Sequence, residues 1–122
     1  MTADPFVERL ARVQHRFVST LETKIEDAYA AMPKLSDRGA EGVAVVDALY
    51  RSMHSVVGVG STVGFPATGR AAHDLENVLR QAQLDGRALA ADEIELFKTC
   101  LHALREAATR ELHSFNAVQQ TG

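Results

Sequence analysis

One stretch of the chain combines a potential nucleophile with small residues that would leave it accessible. His54 is followed one helical turn later by Gly58, and Ser61 lies close to the same flank of a helix. Imidazole is mostly neutral near physiological pH, and neutral imidazole is nucleophilic. Phosphoryl transfer needs little from a protein beyond in-line positioning and charge stabilisation. His54 is therefore a candidate nucleophile for a reaction of this kind, with Gly58 and Ser61 as supporting residues.

The glycines indicate which face of this helix must stay open. A glycine inside a helix costs about 1 kcal/mol relative to alanine, so both Gly58 and Gly60 weaken it. At 3.6 residues per turn, His54 lies about 95° from the centre of the predicted apolar face, at the border with solvent. That face comprises Val46, Leu49, Met53, Val57 and Gly60. Gly58 shares the flank of His54, whereas Gly60 faces inward and permits a close helix–helix approach.

Four helices are predicted to position this segment. Asp4-Pro5 is typical of a helix start, Pro33 ends the first helix, and Asp85-Gly86 ends the third as a turn. The second helix begins near Glu41, and the fourth begins near Asp92. The first helix carries an apolar stripe of Phe6, Leu10, Val13, Phe17, Leu21, Ile25, Ala28 and Met32. The third carries Ala71 or Ala72, Leu75, Val78, Leu79 and Ala82, and the fourth carries Ile94, Phe97, Leu101, Leu104, Ala108, Leu112 and Phe115. Short connections favour an all-α, antiparallel four-helix bundle with a long first helix.

Composition narrows the class of protein further. A chain of 122 residues fits one domain, which we place at 1–122, and its net charge of −3 lacks the basic face that nucleic acids or anionic membranes require. The N-terminal residues show no secretory signal, and no apolar run is long enough to span a membrane. Cys100 is the single cysteine and lacks an internal partner, so we expect a reducing cytoplasm. We also expect a monomer.

The region around His54 also resembles a known family. The segment His54-Ser55-Val56-Val57-Gly58, followed by Gly64-Phe65-Pro66, Ala72 and Leu75-Glu76, is similar to histidine-phosphotransfer (HPt) domains. The resemblance implies a four-helix bundle whose second helix carries the phosphorylated histidine. It implies a phosphorelay intermediate in two-component signalling, which accepts a phosphoryl group from a receiver-domain aspartate and passes it to another receiver. The partners would be response-regulator receiver domains, together with a hybrid sensor kinase as a further candidate.

The resemblance also carries expectations about the site. No ATP site is evident, so we expect a phosphocarrier rather than an enzyme, with no cofactor of its own and Mg²⁺ supplied by the receiver. Ser55, Val59 and Thr62 are predicted to contact the docked receiver, with Val59 facing outward. Many family members carry a lysine three residues after the histidine, where this chain has Val57. Arg51 and Arg70 are candidate substitutes, although a solvated arginine is the simpler interpretation of each.

Two other functions remain open at this point. The same bundle would serve as a non-catalytic interaction module, with Val57 as a sign of lost chemistry, or as a dimerising fragment of a sensor kinase. The other histidines, His15, His73, His102 and His113, are interpreted as surface residues with no chemical role. Phe6, Phe17, Phe97 and Phe115 are predicted core residues, and Cys100 is expected to pack as a small apolar side chain. We predict no metal site, because a di-metal bundle needs several inward Glu-x-x-His sets.

Overall fold

The computed structural model describes residues 4–121, with side chains up to Val118. Residues 1–3 and 122 lie outside this range. They belong to the predicted 1–122 domain, and residues 1–3 also enter the expectation of no secretory signal. The helices are α1 (Pro5–Ala31), a short 3₁₀ helix (Met32–Lys34), α2 (Ala40–Gly60), α3 (Pro66–Asp85) and α4 (Ala91–Thr121). No strand occurs in the described range. None of its helices is both long and apolar enough to cross a membrane.

The four helices form the predicted antiparallel bundle. α2 packs most extensively on α3, α3 packs on α4, and α1 contacts both α2 and α4. One core runs through all four helices and the loops between them. Its largest fully buried side chains are Phe65, Phe97, Leu21, Leu35, Met53, Leu75, Leu79, Leu101 and Leu104. Since every helix contributes to a single core, α2 and α3 are held in fixed positions beside each other.

The helix ends form as the sequence indicates. The Asp4 carboxylate accepts a hydrogen bond from the Phe6 N–H at 2.9 Å, and Pro5 occupies the first turn. Gly86 ends α3 in the left-handed conformation, with a φ of 63° that favours glycine. These ends fix where α1 begins and where α3 stops.

A close approach between glycines holds α2 beside α3. A side chain on Gly60 would place its Cβ 3.2 Å from both the Gly69 Cα and the Phe65 carbonyl oxygen. The Phe65 N–H in turn donates to the Gly60 carbonyl at 2.7 Å. The expectation that Gly60 permits close helix–helix approach is therefore confirmed.

The first turn of α3 is capped by a side chain from α4. Phe65 precedes this helix and provides no capping side chain. Glu111 fills that role: its carboxylate accepts the Ala67 N–H at 3.1 Å, the Thr68 N–H at 2.7 Å and the Thr68 hydroxyl at 2.7 Å. Thr68 is fully buried, so water cannot serve its donors and Glu111 supplies the acceptors for them.

The predicted core was wrong at one end of the bundle. Phe6 is 65% exposed and Val13 is 44% exposed. Gln14 donates its side-chain amide to the Val63 carbonyl at 2.7 Å, so the α2–α3 connection lies beside Gln14. Residues of α1 before that point extend past α2 and α3, and their apolar face has no helix from that pair to cover it. Six other predicted core residues are half-buried rather than buried: Leu10, Met32, Val78, Ile94, Leu112 and Phe115.

The predicted apolar face of α2 was wrong in one turn of the helix. Val56 is fully buried, whereas Val57 is half-buried. Val59, predicted to face outward, is half-buried and packs against the core. The other four residues of the predicted face, Val46, Leu49, Met53 and Gly60, are buried. The prediction was therefore wrong only in taking Val57 rather than Val56 as the inward residue of that turn, and in placing Val59 outward.

Candidate functional site

His54 projects from the second half of α2 into solvent. Its side chain is 70% exposed, and one ring nitrogen is held from the neighbouring helix. Nδ1 lies 2.9 Å from the Glu76 Oε2 atom, whose side chain is only 5% exposed. The structure thus places His54 at the border of core and solvent, as predicted, and adds a buried carboxylate partner on α3.

The Glu76 contact selects the protonation pattern of the ring. An ionised carboxylate can only accept hydrogen bonds, so Nδ1 of a neutral His54 must carry the proton. The second ring nitrogen, Nε2, then carries a free lone pair. Because the ring is exposed, that lone pair faces any molecule that approaches α2. The arrangement presents a nucleophile in a fixed orientation.

Two further side chains surround this pair. Arg80 donates to the Glu76 Oε1 atom at 3.1 Å, so both carboxylate oxygens are used. Hydrogen bonds to Tyr50 and to Glu76 raise the pKa of the Arg80 guanidinium, which therefore stays charged. The Tyr50 ring lies nearly parallel to the His54 ring, with a centroid separation of 6.2 Å and an interplanar angle of 13°. Tyr50, Glu76 and Arg80 together restrict how His54 can rotate.

Gly58 leaves the space one turn beyond His54 open. A Cβ atom built at Gly58 would have no neighbouring atom within 4 Å. The residue is exposed, so its lack of a side chain is not required by packing. The predicted open flank beside the imidazole is therefore present in the structure.

An open groove follows along α2 and α3 on the same flank. Its volume is about 600 Å³, and its lining includes Val57 and Ser61 from α2 and Arg70, His73 and Asp74 from α3. Val57 lies one turn after His54 on α2. Since α2 and α3 are antiparallel, His73 lies one turn away from Glu76 in the same direction. The groove therefore begins about one turn from the imidazole.

The other predicted site residues are distributed around α2. Arg51 makes an ion pair with Asp47 at 3.0 Å, and no contact joins it to His54 within the described residues. Ser55 and Thr62 are exposed, but they do not line the groove. Val59 is half-buried and packs against the core. Of these four residues, the structure brings none into the cluster around His54.

Glu76 was missed as a site residue because its partner lies on another helix. Glu76 is three residues after His73, a spacing that is typical of a surface pair on one helix, but Glu76 is buried and turns to His54. One signal was available. Glu76 lies between Ala72, Leu75 and Leu79 on the apolar face, where a charge needs a partner.

The remaining histidines and the cysteine occupy ordinary settings. His15 packs edge-on against Phe115 at a centroid distance of 6.1 Å, and His102 pairs with Glu106 at 3.1 Å. Cys100 is half-buried against the core, where burial and the negative charge of Asp74 raise the pKa of its thiol. In the part of the chain that the structure describes, no cluster of three metal-binding side chains occurs.

The comparison with protein families agrees with this geometry. The family model described as Hpt domain matches residues 12–107, which include most of α1, all of α2 and α3 and the first half of α4. No curated protein and no solved structure matches the chain significantly. The match covers well over half of the chain, and it places the helix bearing His54 inside the matched region. The chain therefore belongs to the Hpt domain family, whose members act in phosphotransfer in two-component signalling.

Proposed function

We propose that this protein is a phosphorelay intermediate that carries a phosphoryl group on His54. The observation that supports this most directly is the bond between Nδ1 and the buried Glu76, which leaves Nε2 as an exposed nucleophile. The donor would be a phosphorylated receiver domain, and the acceptor would be a second receiver. A hybrid sensor kinase is a further candidate partner. We expect the transfer to occur in the cytoplasm and to need only a monomer.

The transfer step follows from the protonation pattern. The Nε2 lone pair attacks phosphorus in line with the acyl phosphate of the receiver, and an N–P bond forms. The P–O bond to the aspartate breaks, and its electron pair leaves with the carboxylate. No proton has to leave Nε2, because Nδ1 holds the ring proton. Glu76 offsets the positive charge that develops on the ring.

The receiver would also supply Mg²⁺. That ion would reduce the charge on the phosphoryl group during transfer. The described residues of this chain contain no cluster suited to hold it. The role of this chain would therefore be to hold one nucleophile rigidly at an accessible position, without catalysing a reaction on its own.

A labelling assay tests the proposal. The full chain is mixed with a phosphorylated receiver, and the label is examined for the acid-labile, base-stable behaviour of phosphohistidine. We expect wild type to be labelled and His54→Gln to lose the label. His102→Gln is the matched control, because His102 is also exposed and paired with a glutamate. Label that persists in His54→Gln would refute the assignment.

Two substitutions at Gly58 test whether access to the ring matters. Gly58→Ala should raise the stability by about 0.5–1 kcal/mol, because the Cβ meets nothing and alanine favours the helix. Gly58→Leu should slow transfer from a receiver, since its side chain would crowd the approach to His54. Equal transfer rates for the leucine variant and wild type would count against a docked receiver at this flank.

The alternative is a non-catalytic module that binds a receiver or another signalling partner without phosphoryl transfer. Such a module would bind the receiver equally well with His54 or with glutamine at that position. It would also acquire no label. The labelling assay therefore separates the two functions directly.

A further inference from the structure

We propose that Arg70 and His73, from the groove on α3, contact the oxygens of the phosphoryl group once it is bound to His54. The inference rests on the proposed function and identifies which side chains of this chain stabilise the phosphorylated form. It starts from the charges around the imidazole, since a phosphoryl group brings nearly two negative charges to this position.

The charges closest to His54 are already paired. Arg80 is hydrogen-bonded to Glu76, and Arg51 is bonded to Asp47 on its own helix. Asp47 is also held from α3 by the Gln83 amide at 3.1 Å, which fixes the position of that pair. Each positive side chain here is matched by a carboxylate, so these pairs leave no net positive charge for a phosphoryl group.

Arg70 is the cation that remains on this flank. It is exposed, lines the groove, and makes no ion pair or hydrogen bond among the described residues. Asp74, one turn along α3, also lines the groove. Its negative charge reaches Cys100 on α4, so Asp74 lies toward that helix. Arg70 can therefore turn toward His54 without breaking an existing pair.

His73 supplies a neutral donor closer to the imidazole. Its Nδ1 lies 3.4 Å from the amide nitrogen of Asn77, which can only donate. This contact places the ring proton of neutral His73 on Nε2, which is then free to donate. Glu76 and His73 are three residues apart, which is about 4.5 Å along the helix axis, and Val57 is equally far from His54.

The shape of the groove favours this route. Val57 is half-buried and short, so it leaves room between the imidazole and the side chains of α3. Gly58 adds further space at the same level. No bulky side chain at Val57 or Gly58 therefore separates His54 from the groove that Arg70 and His73 line. Ser61 lines the far end of the groove.

The test measures uptake and lifetime of the phosphoryl group without a protein partner. The full chain is treated with phosphoramidate, and the phosphorylated fraction is followed by intact mass spectrometry during uptake and after donor removal. We expect Arg70→Ala to shorten the lifetime of phosphorylated His54 by about fivefold to tenfold, the scale of one charged hydrogen bond in a partly exposed site. Arg70→Lys should restore most of the loss, and His73→Ala should shorten the lifetime by about twofold to threefold.

Arg51→Ala is the matched control, because Arg51 is an exposed arginine one turn from His54 and already paired. It should leave the lifetime unchanged. The inference is overturned if Arg70→Ala lies within twofold of wild type, or if Arg51→Ala shortens the lifetime as much. The proposed function and the inference are overturned together if wild type takes up no phosphoryl group, or if His54→Gln still takes one up. Only the inference is overturned if wild type is phosphorylated and Arg70→Ala has the same phosphoryl lifetime.

Discussion

Glu76 and Glu111 are two glutamates that each reach from one helix to another, but they serve different partners. Glu76 on α3 is bonded to the exposed ring of His54, whereas Glu111 on α4 is bonded to the first turn of α3. The partner of Glu76 is a side chain that can react, and two of the groups held by Glu111 belong to the backbone. The difference indicates that Glu76 orients the reactive imidazole, whereas Glu111 holds the first turn of α3, the helix that carries Glu76.

The largest effect on folding is expected from removing the cap. Glu111→Ala should lower the free energy of unfolding by about 2–3 kcal/mol, because buried donors of α3 lose a charged acceptor. Urea denaturation measures this change. Glu106→Ala is the control, since Glu106 is exposed on the same helix, and it should stay within about 0.5 kcal/mol of wild type. A loss of that small size in Glu111→Ala would contradict the role of the cap.

The second effect concerns chemistry rather than folding. Glu76→Leu should slow phosphorylation of His54 by about tenfold to a hundredfold, because Nδ1 loses the acceptor that keeps its proton in place. Glu76→Gln should slow phosphorylation less, since its amide oxygen can still accept the hydrogen bond from Nδ1. The measurement is the initial rate of label uptake from a phosphorylated receiver. If Glu76→Leu reacts as fast as wild type, Glu76 does not orient the imidazole for transfer.

A smaller change tests one bond of the cap by itself. Thr68→Val should lower the free energy of unfolding by about 1 kcal/mol, because the valine keeps the shape and removes only the hydroxyl donor. Label uptake on His54 should be unchanged. A slower uptake in this variant, at full folding, would show that the first turn of α3 influences the site after all.

The smallest effect is expected from a third carboxylate, which caps its own helix. Glu93 accepts the Ala90 N–H at 2.9 Å at the start of α4 and pairs with Arg87 at 2.7 Å. Hydrogen bonding from Arg87 lowers the pKa of Glu93 below its ordinary value of 4.5. The folded form therefore binds its proton less readily than the unfolded chain, so the stabilisation exists above that value and disappears as the pH falls through the lowered pKa.

Glu93→Gln should therefore cost about 0.5 kcal/mol at pH 7 and nothing in strong acid. Denaturation of both proteins across a series of pH values measures this difference. A gap between the two proteins that persists unchanged into strong acid would show that the carboxylate charge is not responsible.

Helix-by-helix patterns were sufficient to predict the fold and the place of the imidazole. Proline, glycine and Asp4 mark the helix ends, and His54 lies at the border of the apolar face of α2, as its spacing requires. The same patterns failed at the outer part of α1. A stripe predicts which face turns inward, but not how far the neighbouring helices extend. Phe6 and Val13 are exposed for that reason.

Contacts between helices could not be predicted from the spacing within one helix. Glu76 and His54 are 22 residues apart, and Glu111 lies 43 residues from Thr68. Both glutamates interrupt apolar stripes, which is a detectable signal that a buried partner exists. The signal does not identify the partner, because that depends on how the helices are rotated against each other. The pair between Arg51 and Asp47 is different, since both residues lie on α2 at a spacing of four and the sequence itself could have indicated it.

The bond from Glu76 to the near nitrogen of His54 has a consequence for the product. Only the far nitrogen can form a bond to phosphorus while that contact is kept, so the product would be the tele isomer rather than the pros isomer. Antibodies selective for one isomer would distinguish the two in whole-cell extracts. A single carboxylate on α3 would thereby decide the regiochemistry of the modification on α2.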